Sequence, residues 1–163
     1  MKTISKIILS FLLIVFASNI HAQEIPKWKL QDLKDAISKA DKPTILNFWA
    51  SFCKPCLEEM PYFQELAKKY EKEGVQLILV NLDNAAWYPK KLKALADKRK
   101  ITADIAFLDE TDADLFCPAV DPSWSGAIPA SIFINNKTGY KKFFEEQLEK
   151  EQLESEIKKM ISN

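Results

Sequence analysis

Phe48-Trp49-Ala50-Ser51-Phe52-Cys53-Lys54-Pro55-Cys56 joins two segments of different periodicity. Upstream, Thr44 to Ala50 (TILNFWA) is short, mostly apolar and not strictly alternating, the pattern of a strand covered on both faces. Asn47 is the oddity inside it. Downstream, Leu57, Met60, Phe63, Leu66 or Ala67, and Tyr70 recur at helical spacing, which predicts a helix from Cys53 or Lys54 to about Lys72. Pro55 suits the first turn, where amides have no helical partner. Pro61 falls in the interior and predicts a kink.

A Cys-x-x-Cys pair therefore straddles a strand-to-helix junction. Free amides and the positive end of the helix stabilise an anion at Cys53, so its thiolate is favoured. Cys56 lies one turn along the same face, within reach of a mixed disulfide formed by Cys53. Cys53 reads as the nucleophile and Cys56 as the resolving thiol. Pro55 stiffens the turn between them, and Lys54 adds a weakly favourable charge. Two other readings stand beside this one: a static disulfide, or half of a zinc site. Zinc needs about four ligands, and Cys117 is the only further cysteine.

Met1 to Lys6 carries two lysines and no acid, Ile7 to Ala17 is an almost unbroken apolar run, and Ile20-His21-Ala22 follows. A basic start, a short apolar core and a small residue describe a secretory signal peptide, residues 1–22, with cleavage expected after Ala22. The alternative is an anchor left in the membrane, although the run is well short of the roughly 20 residues needed to span a bilayer. No cysteine lies near the cut to carry a lipid. Residues 23–163 then form one domain.

Losing the leader also loses His21, the only histidine, which leaves no imidazole for a Ser-His-Asp or Cys-His nucleophile or for a metal centre. The chain has 23 basic and 23 acidic residues, and removing Lys2 and Lys6 leaves a formal charge of −2. No broad positive field exists to attract nucleic acid. All three cysteines lie beyond the leader, an odd number that does not suit a simple disulfide scaffold.

Outward from the dithiol, Leu30, Leu33, Ile37 and Ala40 mark a helix that Asp41-Lys42-Pro43 closes. Val75 to Asn81 (VQLILVN) reads as a second buried strand, and Asp83-Asn84 with Pro89 start a helix that runs through about Arg99. Ile105 to Leu108 is a third strand. The acidic stretch Asp109 to Asp114 is expected to form a brief helix into Leu115-Phe116-Cys117. Pro118, Pro122, Gly126 and Pro129 mark a loop. Ser131 to Asn135 and Tyr140 to Phe144 form a hairpin around Asn136-Lys137-Thr138-Gly139, and a charged helix spans Glu145 to Ile161. The order predicts an α/β domain with a central mixed sheet flanked by helices on both faces.

Trp49-Ala50-Ser51-Phe52-Cys53-Lys54-Pro55-Cys56 followed by Leu57-Glu58-Glu59-Met60-Pro61 resembles the thioredoxin superfamily, and within it the exported TlpA-like or ResA-like thiol–disulfide oxidoreductases. Trp49, Cys53, Pro55, Cys56, Glu59 and Pro61 match that pattern. Gly126-Ala127-Ile128-Pro129-Ala130-Ser131 is similar to the superfamily segment with a cis-proline before a strand. The resemblance, which extends from Leu30 to Ile161, implies a thioredoxin-like fold and a redox-active Cys53–Cys56 disulfide. It also implies a cis Pro129 facing the dithiol, with the Ile128 backbone exposed to pair with a substrate segment.

Two positions depart from thioredoxins proper. Asn47 stands where they keep a buried aspartate, and an amide cannot titrate. Proton handling then falls to water or to another carboxylate; Glu59 is the candidate, with a surface or salt-bridge role as its alternative. Phe52 stands where they usually have tryptophan and leaves an apolar rim suited to contact with a protein. Trp124 either lines the same groove or anchors its loop in the core. Cys117 reads as an inert buried thiol, with a regulatory or intermolecular disulfide as the alternative.

The resemblance implies a periplasmic, cofactor-free enzyme that reduces protein disulfides, including service to apocytochrome c, and is re-reduced by a membrane-embedded thiol donor. An oxidase on the same motif remains open, because direction depends on reduction potential. So does a redox-inert binding module using Phe52, Trp124 and Ile128. A thiol peroxidase would need threonine and arginine beside its cysteine. The segment around Cys53 has neither, and Arg99 is the only arginine.

Overall fold

The computed structural model describes residues 24–162. The expected leader lies outside the described residues. Among those described, no helix is long and apolar enough to cross a membrane.

Among the described residues, six strands form one mixed sheet: β1 (Lys27–Trp28), β2 (Thr44–Trp49), β3 (Gln76–Asn81), β4 (Asp104–Leu108), β5 (Ala130–Asn135) and β6 (Tyr140–Phe144). Their spatial order is β1-β4-β3-β2-β5-β6. β1, β4, β3 and β2 run parallel to one another, whereas β5 is antiparallel to β2 and to β6. The helices are α1 (Leu30–Ser38), α2 (Lys54–Lys69), α3 (Lys90–Arg99), α4 (Ala113–Val120) and α5 (Lys150–Ser162). The expected α/β architecture is present.

Alternation along β2 builds two cores. Ile45 and Trp49 join Phe63, Leu66, Phe133, Leu153 and Ile157 on the face covered by α2 and α5. Leu46 and Phe48 join Leu33, Phe116, Val120 and Trp124 on the face covered by α1 and α4. All six residues of β2 are buried, as an apolar strand without strict alternation requires.

Several boundaries differ from expectation. β1 has two residues and escapes any periodicity; it is held because Phe107 and Asp109 donate backbone hydrogen bonds to the Pro26 and Trp28 carbonyls. Helix α2 stops at Lys69 and a 3-10 turn, Glu71–Glu73, leads to Gly74, whose φ of 85° suits glycine. Pro61 removes the amide that Leu57 would otherwise bond, without dividing the helix. The brief helix expected from the acidic stretch into Leu115-Phe116-Cys117 is present, but only the end of that stretch, from Ala113, is helical. Asp112 caps the N-terminus of α4 by accepting from Asp114 N–H at 3.0 Å, and the helix continues through Pro118, where a loop was expected. Burial of Phe116, Cys117 and Val120 along one stripe outweighs the amide lost at Pro118. Helix α5 begins at Lys150, because Leu148 is drawn into the core ahead of it.

Candidate active site

Cys53 is the N-cap residue of α2 and is disulfide-bonded to Cys56, with the two Cα atoms 5.3 Å apart. The backbone N–H of Cys56 points at Cys53 Sγ at 3.3 Å, the donor geometry that favours a thiolate once the bond is reduced. Cys53 is 6% exposed and Cys56 fully buried, so an incoming disulfide meets Cys53 first. Phe52, beside it, is 77% exposed. Lys54 is exposed and pairs with Glu58 at 3.5 Å, which offsets the charge it was expected to lend the dithiol. Pro55 occupies the first turn.

The loop entering the dithiol is fixed by a residue that the sequence reading missed. Asp83, just beyond β3, accepts from Ser51 N–H at 3.0 Å, Ser51 Oγ at 2.8 Å and Asn81 Nδ2 at 2.9 Å. It is buried, and no spacing pattern in the sequence connects it to Ser51, 32 positions away.

Behind the dithiol, Asn47 and Glu59 meet. Asn47 Nδ2 donates to Glu59 Oε1 at 2.8 Å and to Ser131 Oγ at 3.0 Å. Ser131 is the residue across from Asn47 in the antiparallel β2–β5 pair, another partner invisible in the sequence. Glu59 Oε2 accepts from Leu148 N–H at 2.9 Å. The surface or salt-bridge alternative for Glu59 gives way, because its side chain is fully buried and bound to two neutral donors. Burial pushes its carboxyl up to about 7, against the opposing pull of the Leu148 and Asn47 hydrogen bonds. Glu59 follows Cys56 by one helical turn on the buried side of α2.

Two polar atoms in this layer, Asn47 Oδ1 and Trp49 Nε1, are buried without a hydrogen-bond partner among the described residues. Asn47 and Trp49 are alternate residues of β2 and share its α2-facing side.

The Ile128–Pro129 peptide is cis, as the resemblance implied. Pro129 is buried and Ile128 half-buried. Trp124 is a core residue and not a groove wall. It is 5% exposed, lies 4.6 Å from the Phe48 ring centre, and donates from Nε1 to the Ala127 carbonyl at 2.8 Å. Cys117 belongs to the same core as Trp124, on the sheet face opposite the dithiol. Burial, with Glu145 and Asp114 adding to it, pushes its thiol up to about 11.

Residues 17–139 match the AhpC/TSA family. The thiol-disulfide oxidoreductase ResA of Geobacillus kaustophilus is 31% identical over 137 residues, covering 81% of this chain and 73% of that one. ResA of Geobacillus thermodenitrificans is 32% identical over 117 residues; the match covers 71% of this chain and 62% of the relative's length. Among solved structures, StoA from Bacillus subtilis superposes with a TM-score of 0.55 at 28% identity, covering 71% of this chain and 81% of that chain.

Proposed function

Because the chain belongs to the AhpC/TSA family, and within it to the thioredoxin-fold thiol–disulfide oxidoreductases, we propose that it is exported and reduces protein disulfides in the periplasm. The observation that supports this reading best is a cysteine pair at the start of α2 with its inner member buried one turn from a carboxyl that titrates near 7.

The Cys53 thiolate attacks one sulfur of a substrate disulfide. A Cys53–substrate disulfide forms, and the other substrate sulfur leaves as a thiolate that takes up a proton. Cys56 then attacks Cys53 Sγ, which closes the Cys53–Cys56 bond and releases the second substrate sulfur. Cys56 must lose its proton to attack, and it is buried away from water. Glu59 is the base assigned to receive that proton, since a general base works best with a pKa near the operating pH. Asn47 supports both states of Glu59. Its Nδ2 donates to the ionised carboxylate, and a half-turn of the amide would present Oδ1, now unpartnered, to the protonated acid.

The Ile128 backbone beside Pro129 is the expected pairing edge for an extended substrate segment, and Phe52 is the exposed apolar contact. The dithiol is restored by a membrane-embedded thiol donor, and apocytochrome c is among the expected substrates. No cofactor enters the cycle.

A single-turnover assay tests the reading. Fully reduced protein is mixed with insulin, and thiols are trapped and counted by mass spectrometry. Transfer of one disulfide from insulin to Cys53–Cys56 supports reduction. Retention of both thiols, with Cys53→Ser, Cys56→Ser still capturing protein partners, would favour the redox-inert binding module instead.

A further inference from the structure

The loop that carries Ile128 is held by a carboxylate that the exchange chemistry does not use. Glu145 directly follows β6. Its Oε1 accepts from Ser125 N–H at 3.0 Å, from Ala127 N–H at 3.0 Å and from the Ser125 hydroxyl; Oε2 accepts from Ser125 N–H at 3.2 Å. From the other side, Trp124 Nε1 holds the Ala127 carbonyl. Ala127 is thus fixed at both its amide and its carbonyl by side chains.

Ser125, Gly126 and Ala127 are small and exposed, and Gly126 has a φ of 96°, open to glycine and strained for other residues. Beyond them, the Ile128 N–H and C=O make no hydrogen bond among the described residues. A free donor and acceptor on a fixed backbone are what an extended peptide needs for strand-like pairing.

We propose that Glu145 is a positioning residue for protein substrates, holding Ser125 to Ala127 so that Ile128 presents its peptide groups to the chain around a substrate cysteine. The proposal rests on the reading of the Pro129 loop as the substrate edge. Ordering the loop before binding removes a cost that each encounter would otherwise carry. The benefit falls on substrates with a backbone to pair and not on small disulfides.

The test needs thiol–disulfide exchange alone. In a Cys56→Ser, Cys117→Ala background, only Cys53 reacts. Its rate constant is measured with 5,5′-dithiobis(2-nitrobenzoate) and with an unstructured cysteine peptide carrying the same thionitrobenzoate leaving group. Attack at the peptide sulfur forms the Cys53–peptide disulfide and releases the coloured thiolate, so both reactions give one signal.

Glu145→Ala is expected to slow the peptide reaction about ten-fold and the small disulfide less than about two-fold. Glu145→Gln, whose amide oxygen can take the Oε1 contacts, is expected to recover most of the loss. An unchanged peptide rate would overturn the proposal. So would an equal fall with both reagents, which would place the damage at the dithiol, or a glutamine variant as slow as alanine. Wild-type protein that exchanges with both reagents yet fails to reduce insulin would remove the reductase reading and leave the role of Glu145 to be judged on these rates.

Discussion

The two faces of the sheet each carry cysteine and tryptophan, yet they use them in opposite ways. Under α1 and α4, Cys117 and Trp124 are packing residues: the thiol is buried in an apolar cluster, and the indole N–H is satisfied by Ala127. Under α2 and α5, the cysteines sit at a helix N-terminus, the Trp49 N–H has no partner among the described residues, and Asn47 and Glu59 place a polar layer within the core. Residue type alone does not separate these sites. What separates them is the supply of backbone amides to a sulfur and the presence of a buried group that can exchange a proton.

The largest expected contrast is between the cysteines. Cys53→Ser should reduce disulfide exchange to background, whereas Cys117→Ala should leave the insulin-reduction rate within about two-fold, as expected for an inert buried thiol. A Cys117 variant as inactive as the Cys53 variant would erase the distinction between the faces.

Glu59→Gln sharpens the comparison through pH. Folded Glu59 keeps its proton up to about pH 7, whereas the unfolded group loses it near 4.5. Between those values the folded state binds more protons, so its stabilising contribution is complete below about 4.5 and fades as pH rises through 7. Wild-type stability should therefore fall by up to about 3 kcal/mol across that window relative to Glu59→Gln. Chemical denaturation at a series of pH values measures it. Parallel profiles would show that Glu59 does not titrate there. The same substitution should slow Cys56 resolution about ten-fold or more near neutral pH, as loss of a general base does.

Tryptophan gives a smaller contrast. Trp124→Phe breaks the bond to Ala127, while Trp49→Phe removes an N–H that had no partner. Both lose similar volume, so Trp124→Phe should cost about 1 kcal/mol more in denaturant unfolding. Equal losses would mean that packing alone governs both positions. Lys54→Ala should be the mildest change, with no resolvable shift in thermal midpoint, because the Lys54–Glu58 pair is exposed.

The dithiol, the strand before it and the helix after it were legible because local rules fix them: an apolar run, helical spacing, and Pro55 in the first turn. The cis Ile128–Pro129 bond came from resemblance and not from any local rule. The partners of Asn47 and Glu59 were not legible, since Ser131 and the Leu148 amide reach them only when β5 and the start of α5 fold against β2 and α2. Glu59 stands out from Glu58 through the resemblance, which leaves its burial open against a surface role, and only the helical phase sends Glu58 to solvent and Glu59 to the core. Asp83 and Glu145 act across 32 and 20 positions, on loops whose own sequences show no need of a clamp. The sequence places the end of helix α4 too early because Pro118 reads as a breaker, whereas burial of its apolar stripe outweighs the missing amide.

The reduction potential of the Cys53–Cys56 couple tests the central claim most directly. Purified protein is equilibrated in dithiol buffers, and its redox state is read by thiol trapping and mass spectrometry. The account predicts a single two-electron couple well below about −200 mV, suited to reduction of protein disulfides. A value near about −120 mV would mark an oxidase and contradict the proposed direction. Failure of Cys53 and Cys56 to titrate as a pair would contradict the account at its root.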